Sequence, residues 1–202
     1  MANSIARGCA LAALLLAAPL TAQTRRLWPV DESGRDPTLV AYLAKLKFVV
    51  SRQDRDALVM LLHPDIRLGF GGDDGIANFK PNWPVLDRLL KLGGAWQEKS
   101  FSIPYVFAKF PENLDAFDYA AVTGRGVWLR SRPAVDARGV RQLTYDIVRV
   151  KDQGEAWWSV TTLRGESGYV SARYITSPVS YRAIFQKDER GEWKMFALLE
   201  GD

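Results

Sequence analysis

The chain has 202 residues, nearly half of them apolar, with 27 basic and 23 acidic side chains for a net charge of +4. That excess is too small, and too evenly spread, to argue for a nucleic-acid partner. One cysteine, Cys9, and one histidine, His63, exclude disulfide frameworks, cysteine–histidine zinc sites and thiolate catalysis in the body of the chain.

Residues 1–22 read as a secretory signal peptide: Arg7 precedes an apolar run over residues 9–20, and Leu20-Thr21-Ala22 supplies a small-residue cleavage site. The run reaches only about 18 Å as a helix, against roughly 30 Å of hydrocarbon core, so no membrane span is expected after cleavage. The remaining 180 residues carry a charge of +3 and are expected in the periplasm or cell envelope. Residues 23–36 are polar and breaker-rich, as in a linker. Asp36-Pro37 then starts a helix, with Asp36 as its cap and Leu39, Leu43, Leu46 and Val50 at helical spacing. Asp54 caps a second helix carrying Leu58, Leu61 and Leu62, which Pro64 ends.

Residues 65–70 alternate as a half-buried strand, and the glycines of residues 69–75 fit a tight turn rather than a phosphate loop. Phe79 and Trp83 are core candidates. Residues 84–92 form a third helix stopped by Gly93, and residues 101–110, which contain Pro104, read as an edge strand. From Tyr119 the pattern changes to short strands between turn signals. Residues 181–199 form a hairpin about the turn Asp188-Glu189-Arg190-Gly191.

Three phrases stand in order between Val127 and Ile175. They are Val127-Trp128-Leu129-Arg130-Ser131-Arg132-Pro133, Trp157-Trp158-Ser159-Val160, and Gly165-Glu166-Ser167-Gly168-Tyr169-Val170 with its continuation to Ile175. This stretch resembles a bacterial SH3 domain, departing from it at Trp128 and at Tyr145-Asp146. The expected fold is therefore α+β: a mainly helical N-terminal domain with a short sheet over residues 37–118, a small all-β SH3-like barrel over 119–177, and a C-terminal β-hairpin over 178–202, free to pack on the N-terminal domain.

The resemblance implies a non-catalytic envelope module that takes peptidoglycan stem peptides or a protein partner in an aromatic groove, with no cofactor and no metal. Strand alternation puts Val127, Leu129, Trp158 and Val160 inside and turns Trp128 and Trp157 outward. Trp128, Tyr145 and Trp157 are thus the candidate ligand contacts. An alternative follows from the opening helices, the strand over 65–70 and the tail hairpin, which resemble pieces of the cone-shaped α+β fold of ketosteroid isomerase and its relatives. The SH3-like unit would then be an insertion beside a small-molecule cavity, with His63 or Asp65 as a base.

Overall fold

The computed structural model describes residues 25–201; the leader peptide expected over residues 1–22 lies outside them. Among the described residues four α-helices and twelve strands follow in the order α1 (Pro37–Ser51), α2 (Arg55–Val59), β1 (Leu62–Arg67), α3 (Trp83–Leu90), β2 (Ala95–Gln97), β3 (Ser100–Ile103), α4 (Tyr105–Lys109), β4 (Tyr119–Val122), β5 (Val127–Arg130), β6 (Gly139–Leu143), β7 (Ile147–Gln153), β8 (Trp157–Thr162), β9 (Ser167–Ser171), β10 (Ile175–Thr176), β11 (Arg182–Lys187) and β12 (Trp193–Leu199). They build two sheets. The first has five strands in the order β1-β12-β11-β3-β2, and the second has seven in the order β10-β4-β7-β8-β9-β5-β6.

The expected fold class is corrected by this strand order. The N-terminal region is not a mainly helical domain with a local sheet, because β11 and β12 sit inside its sheet, β12 parallel to β1 and β11 antiparallel to β3. Nor is the second unit a closed barrel. Among the described residues no pairing joins β6 to β10, so the seven strands form an open antiparallel sheet. The physical reason is reach: periodicity reports which face of a strand is buried, not which distant strand completes its ladder.

Local chemistry explains the helix starts. The Asp36 carboxylate accepts from the backbone N–H groups of Thr38 (2.8 Å) and Leu39 (3.4 Å), and Asp54 accepts from Ala57 at 3.0 Å. Helix α1 lays Leu39, Tyr42, Leu43, Leu46, Val49 and Val50 on the first sheet. There they meet Phe79, Phe101, Phe185 and Met195, all essentially without solvent contact. Tyr42 meets Phe185 edge-on at 5.8 Å, and Trp96 meets Trp193 at 5.6 Å.

Two prolines act differently from expectation. Pro64 does not end α2, which stops at Val59; it lies within β1, an edge strand, where a missing N–H is tolerated. Residues 101–110 are not an edge strand. β3 lies between β2 and β11 and finishes at Ile103, so its ladder never needs the N–H that Pro104 lacks, and α4 follows.

A third apolar cluster joins the sheets. Leu27, Tyr105 and Val106 pack on Ala121 and Ile147, with Val30, Phe110 and Leu114 around them. Residues 25–27 are not a loose linker. Leu27 N–H donates to Tyr145 O and Ile147 N–H to Arg25 O, each at 2.8 Å. Burial in this junction pushes the Tyr105 phenol up to about 12. No helix among the described residues is long and apolar enough to cross a membrane.

Candidate functional site

The expected inside–outside alternation holds on β5 and β8. Val127 and Leu129 are buried while Trp128 is 43% exposed; Trp158 and Val160 are buried while Trp157 is half-buried. Strand register then brings the two outward tryptophans together. Trp157 pairs with Ser171 across β8 and β9, and Arg130 pairs with Tyr169 across β5 and β9. Trp128, two residues before Arg130 on β5, lines the same groove as Trp157 and Ser171. The result is a row of groove-lining side chains that includes both tryptophans and the small Ser171.

That row lies in a groove of about 480 Å³ whose other principal side chains are Tyr174, Val135, Arg125, Arg130 and Arg173. The Trp128 ring lies on the backbone of Gly139: a Cβ placed there would stand 2.5 Å from the ring. The turn that launches β9 is fixed by Glu166. Burial works to raise its carboxyl, but hydrogen bonds from the Thr162 hydroxyl and the Arg141 guanidinium, both at 2.9 Å, outweigh it and hold the group below its ordinary range.

The groove is cationic. No acidic residue lines it, and among the described residues none of its three arginines is bonded to a carboxylate. Each guanidinium is nonetheless held. Arg130 donates to Ala137 O at 2.7 Å, Arg173 stacks 4.9 Å over Tyr174, and Arg125 lies 5.5 Å over Tyr145. The nearby Asp136 is held by Arg132 at 3.0 Å.

Of the three aromatic candidates, Trp128 and Trp157 share the groove and Tyr145 does not. Tyr145 stands beyond Arg125 with a left-handed backbone (φ +56°) and its ring 5.3 Å from Trp28. Reading the sequence alone missed Tyr174 and all three arginines. Arg130, Arg173 and Tyr174 lay inside the phrases singled out between Val127 and Ile175, whereas Arg125 stands just before them in Gly124-Arg125-Gly126.

The alternative site has a different geometry. The tail hairpin does join the N-terminal sheet, but the space beneath is filled by Leu46, Phe79, Phe101 and Phe185. His63 is half-buried and stacks on Phe196 at 4.0 Å, where its Nδ1 accepts the Asp65 backbone N–H at 3.2 Å. That contact uses the Asp65 main chain, and the Asp65 residue itself is exposed. His63 borders an open hollow of about 450 Å³ shared with Met60, Asp188, Glu192 and Lys194. No group of three or more potential metal ligands assembles among the described residues.

No protein-family model matches the chain. No curated protein matches it either. Among solved structures it is similar to a protein of Shewanella frigidimarina provisionally assigned as a ketosteroid isomerase, at 6% identity, with 82% of this chain and 96% of that chain covered and a TM-score of 0.32. A likeness at that level assigns neither fold family nor activity.

Proposed function

We propose that this chain is a non-catalytic recognition protein of the cell envelope, and that the groove between Trp128 and Trp157 binds an extended peptide, such as the stem peptide of peptidoglycan. The observation that carries the reading is one groove lined by Trp157, Ser171 and Trp128 with three arginines and no acid. Two indoles on one groove offer flat faces to a ligand side chain. Rings supply contact area at low entropy cost, and guanidiniums supply paired donors to carboxylates. A charge-assisted bond of that kind contributes about 1.5–3 kcal/mol.

The test is sedimentation of the protein with purified peptidoglycan. Wild type is expected in the pellet, and Trp157→Ala is expected to weaken retention by about 2 kcal/mol, roughly thirty-fold in affinity. Retention no greater than that of a control protein would remove the wall ligand from the proposal.

A further inference from the structure

We propose that the groove continues onto a second subsite made by Trp28, Tyr145 and Arg26, and that the two subsites together hold an extended acidic peptide through two separate carboxylates; this rests on the peptide-binding reading of the groove. The bridge is Arg125. It lines the groove, and its guanidinium also lies 5.5 Å over Tyr145 and 5.6 Å over Trp28.

The second subsite is built, not incidental. Residues 25–27 are fastened to β7 and its approach by Leu27 N–H to Tyr145 O and Ile147 N–H to Arg25 O, an isolated backbone β-bridge that sets Arg26 opposite Asp146. The turn bearing Arg125 is latched to the same place. Gly126 N–H donates to the Thr144 hydroxyl at 3.1 Å, and Tyr145 N–H donates to Gly124 O at 3.1 Å. Trp28 is therefore positioned by backbone pairing, yet 48% of it remains exposed.

Arg26 stacks over the same indole at 5.7 Å. A guanidinium stacked on a ring keeps its N–H edge available, and that edge matches a carboxylate. Among the described residues neither Arg26 nor Arg125 is bonded to a carboxylate, and the nearby Asp146 is buried, capping the Thr144 N–H. Both subsites thus present oriented guanidiniums to a ligand. The groove's slot between Trp128 and Trp157 favours a chain with side chains at every second residue, which an extended peptide has and a bare polyphosphate lacks.

The probes are the capped peptides Glu-Leu-Glu-Leu-Glu and Glu-Leu, the first with all Glu replaced by Gln, and tripolyphosphate, each titrated calorimetrically into the full chain. The longer acidic peptide is expected to bind at least about ten-fold more tightly than the shorter one, and its Gln analogue to lose that gain. Trp28→Ala and Arg26→Ala are expected to weaken the longer peptide about ten-fold and leave the shorter one unchanged, with melting temperature retained and Trp28→Phe restoring part of the loss. Trp128→Ala is expected to weaken both.

Equal affinity for the two lengths, or indifference of the longer peptide to Trp28→Ala, overturns the second subsite alone. Tighter binding of tripolyphosphate than of the longer peptide overturns the choice of ligand. Indifference of both peptides to Trp128→Ala overturns the groove reading and this inference with it. Absence of binding to the longer peptide overturns the inference while peptidoglycan sedimentation still tests the groove.

Discussion

Ser171 is the small residue that lines the groove beside the two tryptophans. It pairs directly with Trp157 and lines the same groove as Trp128. A ring at this position would fill the slot from beneath and, being partly solvent-facing, would disturb little of the core. Ser171→Phe is expected to abolish retention by peptidoglycan while moving the unfolding midpoint by no more than about 0.5 kcal/mol, as for a surface site. Parallel pelleting and denaturation measurements check this; full retention would show that ligand does not enter between the rings. Both tryptophans could be oriented from the sequence because alternation on a half-buried strand fixes facing. Tyr145 could not, because it lies in a turn with positive φ, where period-two reasoning has no hold. Trp28 escaped notice because its neighbours are polar and breaker-rich, whereas its position comes from backbone bonds to Tyr145 and Ile147, more than a hundred residues away.

At the scale of the element, the phrase from Gly165 to Val170 separates into two glycines with different duties. Gly165 has φ +90° and closes the turn from Thr162. Gly168 lies within β9, and there the constraint is space. A Cβ would stand 2.6 Å from Arg130 O and 2.9 Å from the Leu129 side chain, so its absence is what lets β9 approach β5. Gly168→Ala is expected to cost about 1–3 kcal/mol of stability by overpacking and to weaken ligand retention by separating Trp157 from Trp128. Gly165→Ala should cost stability through strain but spare the spacing. Chemical denaturation and pelleting of both variants separate the two effects. Helix starts were readable from Asp36 and Asp54, because a cap acts within three residues. The sheets were not, because β1 finds its partner in β12 and β3 in β11, with the whole second sheet lying between them in sequence. Pro104 misled for a related reason: its position after the last rung of β3 depends on where the ladder ends.

On the scale of the whole molecule, the groove depends on how residues 25–36 tie the two sheets together. One end of this segment pairs with the second sheet at Tyr145 and Ile147; the other is clamped to the first by Glu32. The Glu32 backbone N–H donates to Gly94 O at 2.9 Å, and its carbonyl accepts from the Trp96 indole at 3.0 Å. Its carboxylate accepts the Trp96 backbone N–H at 3.0 Å and pairs with Lys109 at 3.0 Å and Arg35 at 3.2 Å. The Trp96 hydrogen bond, then that from Lys109, holds the Glu32 carboxyl below its ordinary 4.5. A carboxyl depressed on folding contributes stability that is complete above its unfolded value and is lost as pH falls through the folded one. Glu32→Gln should therefore be less stable than wild type at pH 7, with the gap closing as pH drops below about 4.5 and continuing to close toward the lowered value. Because the clamp carries Trp28, the same variant should loosen the longer acidic peptide at neutral pH and leave the shorter one bound. Denaturant midpoints for both proteins between pH 7 and pH 3 read the first effect, and the calorimetric pair of peptides reads the second. A stability gap that stays constant across that range would mean that the Glu32 charge contributes nothing to the clamp, leaving its backbone bonds and the apolar junction of Leu27, Tyr105, Val106, Ala121 and Ile147 to hold the sheets in register.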